Sequence, residues 1–134
     1  LNTLPISTNS TITKKTFARI NEILKANKTI LIFPEGERSY NNKIDKILKG
    51  TSFLIRHMKV DILPIYIDGA FIIWPREKKF PKLFGKINCI FGEPINFNDI
   101  EKTNISNKEK LDKISLRIHK SLLDLKLKLE SFTK

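Results

Sequence analysis

Cysteine is almost absent from these 134 residues: Cys89 stands alone, inside an apolar run. No disulfide framework can form within the chain, no metal cluster is suggested, and a reducing compartment fits best. Histidine is nearly as scarce, with His57 and His119 only, so imidazole chemistry has two places to reside. Long apolar runs are missing too. The most apolar stretch, 62–75, is interrupted by Asp68 and Gly69 and falls short of the roughly 20 residues that cross a bilayer. The first residues, Leu1, Asn2 and Thr3, supply neither the basic nor the apolar region of a signal peptide, and methionine does not begin the chain. Acidic residues are also in deficit: 14 Asp and Glu face 25 Lys and Arg, a net charge of +11. That balance favours anionic partners such as nucleic acid, phosphorylated metabolites or acidic lipid headgroups. Because the lysines travel with asparagine and isoleucine, a compositional bias of the source explains the charge equally well.

What is present suits one globular domain over 1–134. The apolar fraction of 40% and the charged fraction of 29% are ordinary, and nine Phe supply bulky core material. Residues 1–13 read as an extended piece and a loop, since Pro5 disfavours a helix. From Lys14 the apolar positions Phe17, Ile20, Ile23 and Leu24 recur at helical spacing, which predicts an amphipathic helix ending near Asn27. The run TILIF at 29–33 lacks polar alternation and reads as a strand covered on both faces. A helix is predicted over 51–57, after Gly50, with Phe53, Leu54 and Met58 on its buried face. Strands follow at 62–67, where Pro64 implies an edge or an irregularity, and at 87–91. Ser106 with Glu109 forms a capping box for a helix of about 106–132. Its stripe is Leu111, Ile114, Ile118, Leu122 and Leu125, widened by Leu116, Leu123, Leu127 and Leu129. Alternating helices and covered strands predict an α/β layered fold with a mostly parallel sheet flanked by helices.

The most informative string is Phe33-Pro34-Glu35-Gly36-Glu37-Arg38-Ser39, directly after the first predicted strand. Ligands of open α/β sheets bind at strand exits, where Gly36 lets the backbone come close and Arg38 can grip phosphate through paired hydrogen bonds. Glu35 could hold that arginine or a substrate hydroxyl. A bare P-E-G tripeptide would be read as a charged turn; the longer string is more specific.

FPEGERS resembles the FPEG-T-R-S block of the glycerolphosphate and lysophospholipid acyltransferases. The order of later features fits as well: Lys49 with Gly50, the proline-bearing strand at 60–67, and Ile90-Phe91-Gly92-Glu93-Pro94-Ile95, similar to a late G-x-P-I segment. The resemblance spans about 4–97, and Leu4-Pro5-Ile6-Ser7 is similar to the tail of an earlier block. The family's threonine position is Glu37 here. The resemblance implies an acyltransferase of phospholipid biosynthesis or remodelling, moving a fatty acyl group from acyl-CoA or acyl carrier protein onto a lysophospholipid or glycerol-phosphate hydroxyl. It assigns acceptor phosphate binding to Glu35, Gly36 and Arg38, extended to Ser39, Lys49 and Gly50. It implies no cofactor and no metal, and a peripheral place at the cytoplasmic face of a membrane.

The family's catalytic motif is H-x-x-x-x-D, in which histidine deprotonates the acceptor hydroxyl and aspartate orients the imidazole. His57 precedes Asp61 one position too early and follows the FPEG string, whereas the motif lies before it. His119 sits among lysines in the last helix and is expected to face solvent. No catalytic residue is therefore expected in this chain. The cut between the family's blocks would fall just before Leu1, and the chain alone would show no turnover.

Residues 71–84 interleave aromatics with bases. Phe71, Trp74, Arg76, Lys78, Lys79 and Phe80 suit an anionic bilayer surface; a core-packed loop with a solvated basic rim fits as well. Two rivals remain: a noncatalytic lipid-phosphate-binding remnant, and a basic nucleic-acid-binding module. Nucleic acid is not expected as a partner, since the sequence carries no helix-turn-helix, zinc-finger or RRM signature.

Overall fold

Four apolar side chains on one helical face, Ile114, Ile118, Leu122 and Leu125, are all buried, and Ile114 has no exposed surface at all. In this computed structural model residues 13–132 are described; the extended piece and loop expected over 1–13, including Leu4-Pro5-Ile6-Ser7, lie outside them except for Thr13. The elements run α1 (Lys14–Lys25), α2 (Lys49–Met58), β1 (Ile65–Asp68), α3 (Ala70–Ile73), β2 (Asn88–Phe91), α4 (Asn98–Glu101) and α5 (Asn107–Phe132). The long α5 packs against α2, α4 and both strands, so it is the hub of the fold. Its start is fixed as expected: the Ser106 amide and hydroxyl donate to Glu109 Oε2 at 2.9 and 2.7 Å, and the Glu109 amide donates to Ser106 Oγ at 3.2 Å.

The core joins Ile47, Ile55, Phe97, Ile100, Ile114, Ile118 and Leu122. Ser52, fully buried among them, is satisfied by a 2.6 Å hydrogen bond to Ser115 across the α2–α5 contact. The buried face of α2 is Ser52, Leu54 and Ile55, whereas Phe53, expected in that face, is exposed. The expected widening of the α5 stripe also fails at Leu116, Leu123 and Leu127, which are exposed: a single helix has one face toward its neighbours.

The sheet differs from expectation. It has two strands and they are antiparallel, with Ile65 opposite Phe91 and Asp68 opposite Asn88. No parallel pair exists among the described residues. An isolated bridge between Ile62 and Ile95 extends the pairing, through hydrogen bonds of 2.9 and 2.8 Å. Pro64, which has no amide to donate, sits between bridge and strand and accepts from the Gly92 amide at 2.9 Å. The TILIF run at 29–33 is not a strand: no backbone ladder forms along it among the described residues, and Leu31 and Phe33 are 70% and 66% exposed. A run of uninterrupted apolar residues marks a segment suited to double-sided burial, but among the described residues only one side is covered, in part, at Ile30 and Ile32.

Helix α4 is pinned to α5 by charge. Arg117 donates through Nη1 and Nη2 to the two carboxylate oxygens of Asp99, at 2.7 and 2.6 Å, in a bidentate pair. The Arg117 hydrogen bonds and positive charge hold the Asp99 carboxyl down to about 2 from an ordinary 3.8. A depressed carboxylate favours folding above its unfolded-state value and loses that contribution as pH falls through its folded-state value. Thus the Asp99 carboxyl carbon followed by NMR should titrate near 2, and Arg117→Gln should return it to the ordinary carboxylate range.

Candidate functional site

The loop after the unpaired run turns on Pro34 and Gly36. Gly36 has φ 79°, the left-handed region, and closes a tight turn in which its amide donates to the Phe33 carbonyl at 3.1 Å. A Cβ placed there would come within 2.3 Å of the Leu48 Cδ1 atom, so the turn is also a close approach to the residue that caps α2. The Leu48 amide donates to the Pro34 carbonyl at 2.9 Å and tethers the start of α2, Lys49 and Gly50, beside the loop.

Each polar side chain of the string has a definite partner. Glu35 accepts from the Asp45 amide at 2.7 Å through Oε2, so it staples the two sides of the 35–45 loop and does not hold Arg38. Ser39 organises the tip: its hydroxyl donates to the Lys43 carbonyl at 2.9 Å and accepts from the amides of Asn41 and Lys43. Arg38 is exposed and reaches the segment after α3. Its Nη1 and Nη2 donate to the carbonyls of Trp74 and Arg76 at 3.5 and 3.4 Å, and its guanidinium lies 4.8 Å from the Trp74 ring centroid. These bonds are near the outer limit for hydrogen bonding, so the ring and the carbonyls orient the guanidinium without saturating it.

Arg76 answers from the opposite segment. It pairs with Glu37, donates through the same Nη1 to the Arg38 carbonyl at 3.3 Å, and lies 4.1 Å from the Tyr40 ring centroid. For this segment a membrane surface and a packed loop with a basic rim are both expected; Arg76 is half-buried and bonded to this loop. Nothing in the sequence signals a partnership across 39 positions. Trp74 is likewise engaged, its indole N–H donating to the Lys78 carbonyl at 2.9 Å, and Phe71 is half-buried. The apolar side chains that stand out furthest in this region are Phe80, Leu83 and Phe84, at 74%, 93% and 88% exposure.

The histidines are occupied elsewhere. His57 Nδ1 lies 2.8 Å from the Phe53 carbonyl, and its ring packs on Phe53 at 3.9 Å and edge-on to Phe17 at 6.1 Å. His119 is half-buried rather than solvent-facing, with Nε2 3.4 Å from the Ile44 carbonyl. The literal spacing H-x-x-x-x-D does occur, at His119 and Asp124, against the expectation that the chain lacks it. It falls within the uninterrupted helix α5, where five residues turn by about 140° and direct the two side chains apart. No hydrogen bond joins them, so they are not a base and its orienting acid. Among the described residues no group of three or more His, Cys, Asp or Glu could hold a metal. Two surface depressions, of about 470 and 430 Å³, are lined by other residues: one between α5 and the 93–96 turn, the other beside α2 and α4.

A small antiparallel sheet packed on a long helix, with an exposed arginine on a glycine turn, defines a domain of mixed α and β structure. The chain belongs to the acyltransferase family: a family model described as Acyltransferase matches residues 1–68, half of its length. The crystal structure of the 1-acyl-sn-glycerophosphate (LPA) acyltransferase PlsC from Thermotoga maritima is similar in fold, with a TM-score of 0.63 at 24% identity. That match covers 84% of this chain and 44% of the PlsC chain, so the chain spans less than half of that structure. No curated protein matches the sequence.

Gly36→Ala places a side chain in a left-handed turn, at roughly 1–2 kcal/mol, and against Leu48. It should lower stability in urea unfolding by at least about 1 kcal/mol and speed amide exchange at Leu48.

Proposed function

We propose that this chain is the acceptor-binding part of an acyltransferase acting on glycerolipid phosphates. The observation that carries the reading is the Arg38 guanidinium, oriented by two backbone carbonyls and the Trp74 ring yet exposed, on a loop that the left-handed Gly36 turns tightly. A phosphate monoester has acceptor oxygens for such a fork, and charge-assisted pairs of this kind are the strong ones. Gly36, Glu35 and Ser39 hold the loop in shape. Lys49 and Gly50 start a helix whose cap, Leu48, offers no side-chain acceptor, so their amides add positive potential beside the loop. The acceptor is a lysophospholipid or glycerol phosphate; the donor is acyl-CoA or acyl carrier protein.

Both histidines are engaged in packing and backbone contacts, so this chain by itself supplies binding and no general base. A positioned base contributes roughly 10² to 10⁴-fold, and transfer requires one from outside the described residues. Titration of the chain with glycerol 3-phosphate should show saturable binding that Arg38→Gln weakens by roughly 10- to 100-fold, the equivalent of about 1.5–3 kcal/mol for hydrogen bonds to a charged group. Unchanged affinity in that variant would remove the assignment.

The same reading places the protein peripherally at the cytoplasmic face of a membrane. No helix among the described residues is long and apolar enough to cross one. The supporting feature is the exposed group Phe80, Leu83 and Phe84 interleaved with Lys78, Lys79, Lys82 and Lys86. Aromatic and leucine side chains enter the headgroup layer, and each nearby Lys adds about 1 kcal/mol on an anionic surface. Relative to expectation, the contact moves from Phe71, Trp74 and Arg76 toward the 80–84 tip. In flotation with vesicles containing phosphatidylglycerol, the triple variant Phe80→Ser, Leu83→Ser, Phe84→Ser should lose at least about tenfold in partitioning, and neutral vesicles should bind the native chain poorly.

A further inference from the structure

We propose that Arg76 is a second guanidinium of the phosphate site and that Glu37 sits on it as an intramolecular stand-in for the phosphate. Glu37 thereby sets the affinity of the loop for phosphomonoesters. The inference rests on the Arg38 reading above and adds to it Arg76, which lies outside the FPEGERS string, and its pairing with Glu37.

Four observations carry it. First, Arg38 and Arg76 lie on facing segments and exchange reciprocal bonds, Arg38 Nη2 to the Arg76 carbonyl at 3.4 Å and Arg76 Nη1 to the Arg38 carbonyl at 3.3 Å. Two positive side chains do not approach one another without an anion or a scaffold to hold them; here the carbonyls and the Trp74 and Tyr40 rings are that scaffold. Second, the anion between the segments is Glu37, whose carboxylate takes Arg76 Nη1. Third, Arg76 spends both of its bonds through Nη1, so among the described residues Nε and Nη2 have no hydrogen-bond partner. Arg38 makes only long bonds. Donors for further acceptors therefore remain on both forks.

The fourth observation concerns exchange. The Glu37 side chain is 56% exposed and that of Arg76 30%, and an ion pair this open to water holds weakly. A phosphate dianion offers more charge and more acceptor oxygens than a carboxylate, so it displaces Glu37 from Arg76 while bonding to Arg38. Arg76 does not depend on Glu37 alone for its position, since the Tyr40 ring and the Arg38 carbonyl also hold it. When the carboxylate swings into water, the guanidinium stays. Glu37 then competes with every phosphate that enters, and the site is biased toward ligands carrying a full dianionic monoester over singly charged diesters.

Calorimetric titration of the full chain with glycerol 3-phosphate, inorganic phosphate and glycerol tests this. Glu37→Gln should tighten glycerol 3-phosphate binding by roughly five- to tenfold, Arg76→Gln should weaken it by about tenfold, and the double variant should bind like Arg76→Gln alone. Inorganic phosphate should follow the same order if the site takes any phosphate; a response confined to glycerol 3-phosphate shows that it reads the lipid headgroup. Glycerol should not bind. If Glu37 is merely a latch, Glu37→Gln will leave affinity unchanged or reduced while Arg38→Gln still weakens it, and the proposal is overturned with the Arg38 reading intact. Native affinity in Arg76→Gln would overturn it equally. If Arg38→Gln has no effect, the underlying phosphate reading falls instead. Urea unfolding of each variant separates lost affinity from lost structure, and Glu37→Thr provides a second neutral replacement should Glu37→Gln fold poorly.

Discussion

Burial of one stripe of α5 is the constraint on which the rest of the chain depends. Ile114, Ile118, Leu122 and Leu125 are withdrawn from water, at roughly 1.5–3 kcal/mol each by transfer. The surfaces that cover them are α2, α4 and both strands. Because α2 is set by that contact, its first turn is set too, and the Leu48 amide then fixes Pro34 and the glycine turn that follows. The candidate site is therefore positioned from the core outward: stripe, helix, cap, loop. This order explains how a loop with little apolar material of its own is held at all.

Within the loop the division of labour differs from what the residue types suggest. Glu35 and Ser39 carry the chemistry of ligands but spend it on backbone amides and a carbonyl, and so act as positioning residues. The open forks belong to the exposed Arg38 and the half-buried Arg76, and they are steered by rings and carbonyls that leave donors over. A rigid frame with unsaturated cations suits recognition of an anion better than it suits stability, since nothing in the pairing resists water.

Much of this was legible in the sequence, and the failures have physical reasons. The capping box at Ser106 and Glu109, the α5 stripe, the α1 helix and the strands near 62–67 and 87–91 follow from local rules that act over three or four residues. The parallel sheet did not follow, because a covered strand and an apolar run awaiting a cover have the same pattern; TILIF is the second among the described residues. Phe53 was misplaced because a helix with apolar side chains on more than one face does not announce which face packs. His119 with Asp124 shows the opposite hazard, a spacing without its geometry, since a continuous helix turns the two apart. Arg76 was legible only as a base among aromatics, because its partner lies 39 positions away.

Among the described residues the run at 29–33 joins no strand and carries two exposed apolar side chains, the features by which sheet edges recruit foreign strands. Its flanks answer that hazard. Lys28 stands on one side and Pro34 on the other, a charge and a residue without an amide, the two kinds of gatekeeper that interrupt self-templating segments. Between them lie five residues, fewer than the six or seven that a steric zipper uses. Flanks of this kind deny strangers the length they need to stack upon the run.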